Sequence, residues 1–215
     1  MKVVILGAGG HAKVVCDALL SSGVPESDVL GFADDNPACI GTTVMGFPVL
    51  GSLDALKIPR TVRVVMGVGD NAARRRLFER ARALGYDCHT VVHPRAVIGR
   101  GSQLGAGVVV MANVVVNTDT RIEDDVILNT ACSVDHDCRV GAHSHIAPGA
   151  RVAGSVTVGE ESMVGIGAAV LPGLWLGAGC LVGAGSVVTR AVESGCVVVG
   201  APARVIKQQK ARTRD

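Results

Sequence analysis

His136 stands between two carboxylates in the run Asp135-His136-Asp137. Imidazole titrates near neutrality, and a carboxylate beside it favours the protonated form, so such a residue can take a proton from an attacking nucleophile at ordinary pH. The stretch continues through Cys138, His143 and His145, which together have the ligand types of a zinc site. Three solvated polar side chains on a turn are the plain alternative for residues 135–137. A second cluster opens the chain: Gly7-Ala8-Gly9-Gly10-His11-Ala12 fits a GxGxxA turn, with Asp34 and Asp35 downstream. Backbone N–H groups of such a turn, and of the helix it opens, favour an anionic phosphate.

The elements that must carry these groups fall into two halves with different periods. From Lys2 to about His89 the pattern predicts a strand (3–6), the glycine turn, a helix (12–20), and strands near 29–32 and 62–66. Gly67-Val68-Gly69-Asp70-Asn71 then leads into a helix over 72–84, with Arg74, Arg75 and Arg76 in its first turns. Strands alternating with helices imply a parallel sheet that binds ligands at the carboxyl ends of its strands. Three strands make about half of a dinucleotide fold, so this small Rossmann-like βαβ unit suits a mononucleotide better.

From Ile98 to Val182 an Ile, Leu or Val recurs at every sixth residue, fifteen times without a break. Four residues after each comes a small or β-branched side chain, among them Cys132, Cys138 and Cys180, with Leu174 the exception. Units this short cannot bury their own apolar face and must stack, so the hexads predict a parallel β-helix with those three cysteines packed inside. The second hexad position is often Gly, Asn or Asp, and is expected to form the tight corners. His136 falls third in its hexad, where a side chain points outward.

Composition narrows the function classes. A net charge of +2 without a basic patch argues against a nucleic-acid partner. No apolar run reaches the ~18 residues of a membrane span, and no secretion signal is recognisable. Seven cysteines without a CxxC pair fit free thiols in a reducing cytoplasm.

Taken together, the glycine turn, Asp34-Asp35, Ile127-Leu128-Asn129-Thr130, Asp135-His136-Asp137 and the late Gly200-Ala201-Pro202-Ala203-Arg204 give a closer match. The whole chain resembles bacterial sugar acetyltransferases of the left-handed β-helix, hexapeptide-repeat family, in the group of the sialic-acid O-acetyltransferases and the bacillosamine and perosamine N-acetyltransferases. The resemblance implies a domain over 1–90 that holds a nucleotide-linked amino sugar through Gly9, Gly10, His11, Asp34, Asp35 and Gly69. It also implies a β-helix over 91–215, with a C-terminal cap, that forms a homotrimer and takes acetyl-CoA as co-substrate through His145, Ile166 and Ala184, with no metal. Arg204 or Lys207 could meet a CoA phosphate. With His89 and His93 near the domain junction, His11 in the glycine turn and His145 on acetyl-CoA, His136 and His143 remain as bases. The family pattern selects His136, supported by the following carboxylate. That residue is Asp137 here, where the bacillosamine-type enzymes have Glu. The implied reaction is acetylation of a UDP- or GDP-linked 4-amino-4,6-dideoxy sugar. Sugar O-acetylation, a zinc enzyme like the gamma-class carbonic anhydrases, and a non-catalytic nucleotide-sugar scaffold are the alternatives.

Overall fold

The computed structural model describes residues 1–208; the end of the expected C-terminal cap, 209–215, lies outside the described residues. The chain opens with β1 (Val3–Leu6), α1 (Gly10–Ser21) and β2 (Val29–Ala33). A short hairpin, β3 (Thr43–Val44) and β4 (Phe47–Pro48), precedes β5 (Arg63–Met66) and α2 (Asn71–Ala83). The sheet has the order β2-β1-β5 and is parallel throughout. Every residue of β1 is buried, as expected of a central parallel strand covered on both faces. Leu6 pairs with Ala33 and with Met66, so all three strands end at one level and the loops at Gly7, Asp34 and Gly67 converge there.

From Val91 to Val188 the backbone forms two-residue strands on three faces of a prism. Strands up to Ala169–Val170 each pair in parallel with the one eighteen residues later, as Val115 with Ser133 and Ile127 with His145, so three hexads complete one turn. This is a left-handed β-helix. The recurring aliphatic positions fill its interior, and Cys132, Cys138 and Cys180 point inward, each at most 2% exposed. Inward hydroxyls bond to the backbone of the next coil, as Ser144 Oγ does to the Gly159 carbonyl at 2.9 Å. An antiparallel hairpin, Cys196–Gly200 with Ala203–Gln208, extends one face at the C-terminal end.

The corners form two positions later in the repeat than the composition suggests. Left-handed φ angles fall at the fourth hexad position, including Asn113, Asp119, Asp125, Asp137 and His143, and not at the second. Small residues at the second position answer a different need. A Cβ on Gly99 would lie 2.6 Å from Thr118 N, and one on Gly141 the same distance from Glu160 N. Glycine there lets successive coils close to hydrogen-bonding distance.

Candidate active site

The level carboxyl ends of β1, β2 and β5 open into a cleft of about 380 Å³ lined by Gly7, Asp34, Asp35, Val68, Arg76 and Arg80, among others. Gly7 adopts φ +101, and a Cβ there would meet Val68 at 2.8 Å, so only glycine permits this turn. Gly9 caps α1 without a side-chain hydrogen bond, and the space around its Cα and that of Gly10 is open. The helix therefore presents unfilled N–H groups to whatever enters. Asp34 is already committed: its carboxylate accepts from Ala8 N at 2.7 Å and from Asn36 N at 2.9 Å, so it shapes the turn. Asp35 is exposed and accepts from Arg80, which also pairs with Asp54. Arg76 and Arg80 had no sequence signal beyond membership of a basic helix.

The glycine turn meets the β-helix at His11 and His145. Their ring centroids are 6.3 Å apart, and Gly69 lies against His11, where a Cβ would stand 3.7 Å from its Cβ. His145 Nε2 is 3.0 Å from Asn129 Nδ2, and its ring also bonds to the backbone of Gly69. Burial, and then the positive charge of Arg74, lower both imidazoles to about 4, so both are neutral at ordinary pH. His11 Nε2 is buried without a hydrogen-bond partner among the described residues. The structure thus brings together Gly69 and His11 of the first unit and His145 of the second.

Helix α2 fixes this meeting. Asn71, Arg74, Arg75 and Phe78 share one face at helical spacing and run along one corner of the β-helix. Asn71 Nδ2 donates to the Glu161 and Ser162 carbonyls, both at 3.2 Å, Arg75 pairs with Glu161, and Phe78 packs edge-on against His143 at 5.6 Å. A Cβ on Gly107 would press on Phe78 at 2.8 Å. Arg74 is completely buried and donates to the carbonyls of Asp125 (3.1 Å), Gly69 (3.3 Å) and His143 (2.7 Å). Asp125 Oδ2 is bonded to His143 Nδ1 at 2.8 Å, and among the described residues its Oδ1 is compensated by the guanidinium of Arg74, with Nε at 3.3 Å. His143, a candidate base by sequence, is thereby a structural residue 8% exposed.

His136 and Asp137 occupy a different corner, between the strands Ser133–Val134 and Arg139–Val140. Asp137 takes φ +57, which swings its side chain back, and its Oδ2 lies 2.8 Å from His136 Nδ1. The shorter carboxylate therefore reaches the imidazole. Its hydrogen bond raises the His136 pKa, with smaller support from Asp135. Asp135 is held in turn by Asn117 Nδ2 at 2.6 Å and accepts from His136 N at 2.8 Å. Ile166, 60% exposed, and Ala184, also exposed, line up one coil apart on the third corner. Arg204 and Lys207 are exposed on the terminal hairpin. Among the described residues no three His, Cys, Asp or Glu side chains are grouped to hold a metal ion: Cys138 points inward, while His136, His143 and His145 keep separate partners.

The PglD N-terminal domain family matches residues 2–81. GDP-perosamine N-acetyltransferase of Escherichia coli O157:H7 is 32% identical over 156 residues, spanning 71% of this chain and 70% of the relative. The chain belongs to the PglD-type nucleotide-sugar N-acetyltransferases. Among solved PglD-type structures, PerB from Caulobacter crescentus, in complex with CoA and GDP-perosamine, superposes with a TM-score of 0.89 at 41% identity, over 96% of this chain and 98% of that one. The acetyltransferase domain of PglB from Neisseria gonorrhoeae, in complex with acetyl coenzyme A, gives 0.88 at 36% identity over 95% and 98%.

Proposed function

We propose that this protein transfers the acetyl group of acetyl-CoA to the 4-amino group of a GDP-linked 4-amino-4,6-dideoxy hexose. The observation that carries the reading is the 2.8 Å contact between His136 and Asp137 at an exposed corner. With Nδ1–H donated to the carboxylate, Nε2 keeps its lone pair for the substrate. The sugar amine attacks the thioester carbonyl carbon, a C–N bond forms, and Nε2 takes the proton the nitrogen must lose. Collapse of the tetrahedral oxyanion breaks the C–S bond, and the imidazolium returns that proton to the departing CoA sulfur. Full-length similarity to a protein solved with GDP-perosamine favours guanosine diphosphate over uridine diphosphate as the carrier.

We assign residues 1–90 to the nucleotide sugar, through Gly9, Gly10, His11, Asp35 and Gly69, with Asp34 shaping the turn, and residues 91–215 to acetyl-CoA, through His145, Ile166 and Ala184. Exposed Ile166 suits the apolar arm of the cofactor. We propose a homotrimer, and the topology supports it. Within one chain the cluster of His11, Gly69 and His145 lies on one face of the prism and His136 on a corner that this face does not include. A neighbouring subunit is needed to bring a base to the sugar. Seven unpaired cysteines support a reducing compartment, the cytoplasm.

The test is release of free CoA thiol with GDP-, UDP- and dTDP-linked 4-amino sugars and with their 4-hydroxy counterparts, with mass spectrometry of the products. Sugar-dependent release with an acetylated GDP-amino sugar is expected. Acetylation of the hydroxy sugars alone would make the protein an O-acetyltransferase instead.

A further inference from the structure

Gly154 lies one coil above His136 at the same corner. A Cβ built on it would stand 2.6 Å from both Cε1 and Nε2 of the His136 ring and 3.2 Å from Cδ2. Its backbone is not in the left-handed region, so φ does not demand glycine. Neither backbone can yield, because Ser155 N donates to the His136 carbonyl at 2.9 Å and Gly173 N to the Gly154 carbonyl at 3.0 Å. The imidazole is the group that would move. Its side chain is 55% exposed and free to swing outward, but the hydrogen bond to Asp137 at 2.8 Å holds it against the coil.

We infer that Gly154 is a positioning residue for the transfer reaction: its missing side chain is the space in which the His136 ring lies while bonded to Asp137. The inference rests on His136 as the base. Any side chain at 154 forces the ring from 2.6 Å to ordinary contact, at least 3.4 Å, and away from the carboxylate. Two charged groups, Asp135 and Asp137, face the imidazole, so losing the nearer leaves it less basic and aims Nε2 elsewhere. A misplacement of this size costs on the order of 10²-fold in rate.

The full-length Gly154→Ala variant tests this by two readouts. The His136 ring is titrated by NMR without substrates, and kcat and both KM values are measured with acetyl-CoA and GDP-perosamine. A lowered His136 pKa, a kcat reduced on the order of 10²-fold and nearly unchanged KM values are expected. An unchanged titration would overturn the inference, even where His136→Asn is inactive. A lowered titration together with an active His136→Asn would retain the steric role and sink the base assignment instead. Should Gly154→Ala fold poorly, the double variant with His136→Ala decides: recovered stability supports the clash with the ring, and no recovery overturns it.

Discussion

His136 gains its basicity from the next residue along the chain, which only the left-handed turn at Asp137 makes geometrically reachable. Extended alternation would send the two side chains to opposite faces. The sequence pattern could name the pair, but the fourth-position corner that joins them is a property of coil stacking. Replacing His136 by Asn is expected to lower kcat by ~10²- to 10⁴-fold, with both KM values retained. Replacing Asp137 by Asn should cost less. Because the carboxylate raises the imidazole pKa and the neutral form is the proposed base, its loss should move the acidic limb of the pH–rate profile to lower pH. A limb that stays in place would mean that Asp137 does not tune the base. His11 and His145 behave in the opposite sense. Their pKa values fall from 6.5 in the unfolded chain to about 4 when folded, so the unfolded state binds more protons between those limits. Stability should therefore drop as pH falls from about 6.5 to about 4, and the drop should shrink in His145→Gln, as read from unfolding midpoints across that range.

Helix α2 shows what one-dimensional patterns miss. Its span is anticipated to within a residue, and three successive arginines fall in its first turns. One of them, Arg74, is fully buried because its partners are carbonyls and a carboxylate some fifty to seventy residues away on a β-helix corner. No local period reports such a match between two elements. Replacing Arg74 by Met leaves the Asp125 carboxylate without its charge partner and should cost about 3–5 kcal/mol of unfolding free energy in denaturant titrations. A loss below about 1 kcal/mol would mean that the seam does not depend on it. The hairpin β3–β4 also escaped notice, since two-residue strands leave too short a pattern. At α1 the open space around Gly9 makes a large side chain compatible with folding but not with a bound phosphate. Gly9→Trp is expected to raise the KM for the sugar nucleotide severalfold or more and leave that for acetyl-CoA almost unchanged. An equal rise in both would contradict the division between the two units.

At the scale of the molecule, the β-helix was the most legible feature, because a fixed hexad admits one architecture and every coil repeats the statement. The site was legible only as fragments. Glycine turn, carboxylate-flanked histidine and apolar corner each carry a signature, while their assembly in the proposed trimer depends on how one chain meets another. The account places the base of one subunit at the sugar held by its neighbour, and mixed assemblies measure this directly. His136→Asn and Gly9→Trp chains, each inactive at low sugar-nucleotide concentration, are co-expressed in equal amounts and assayed as mixed oligomers. Random trimers with sites between chains should recover about a quarter of wild-type turnover, because half of the chains supply a sound base and half a sound pocket. If the mixed oligomers remain as inactive as the separate variants, base and sugar pocket belong to the same chain, and the account is contradicted.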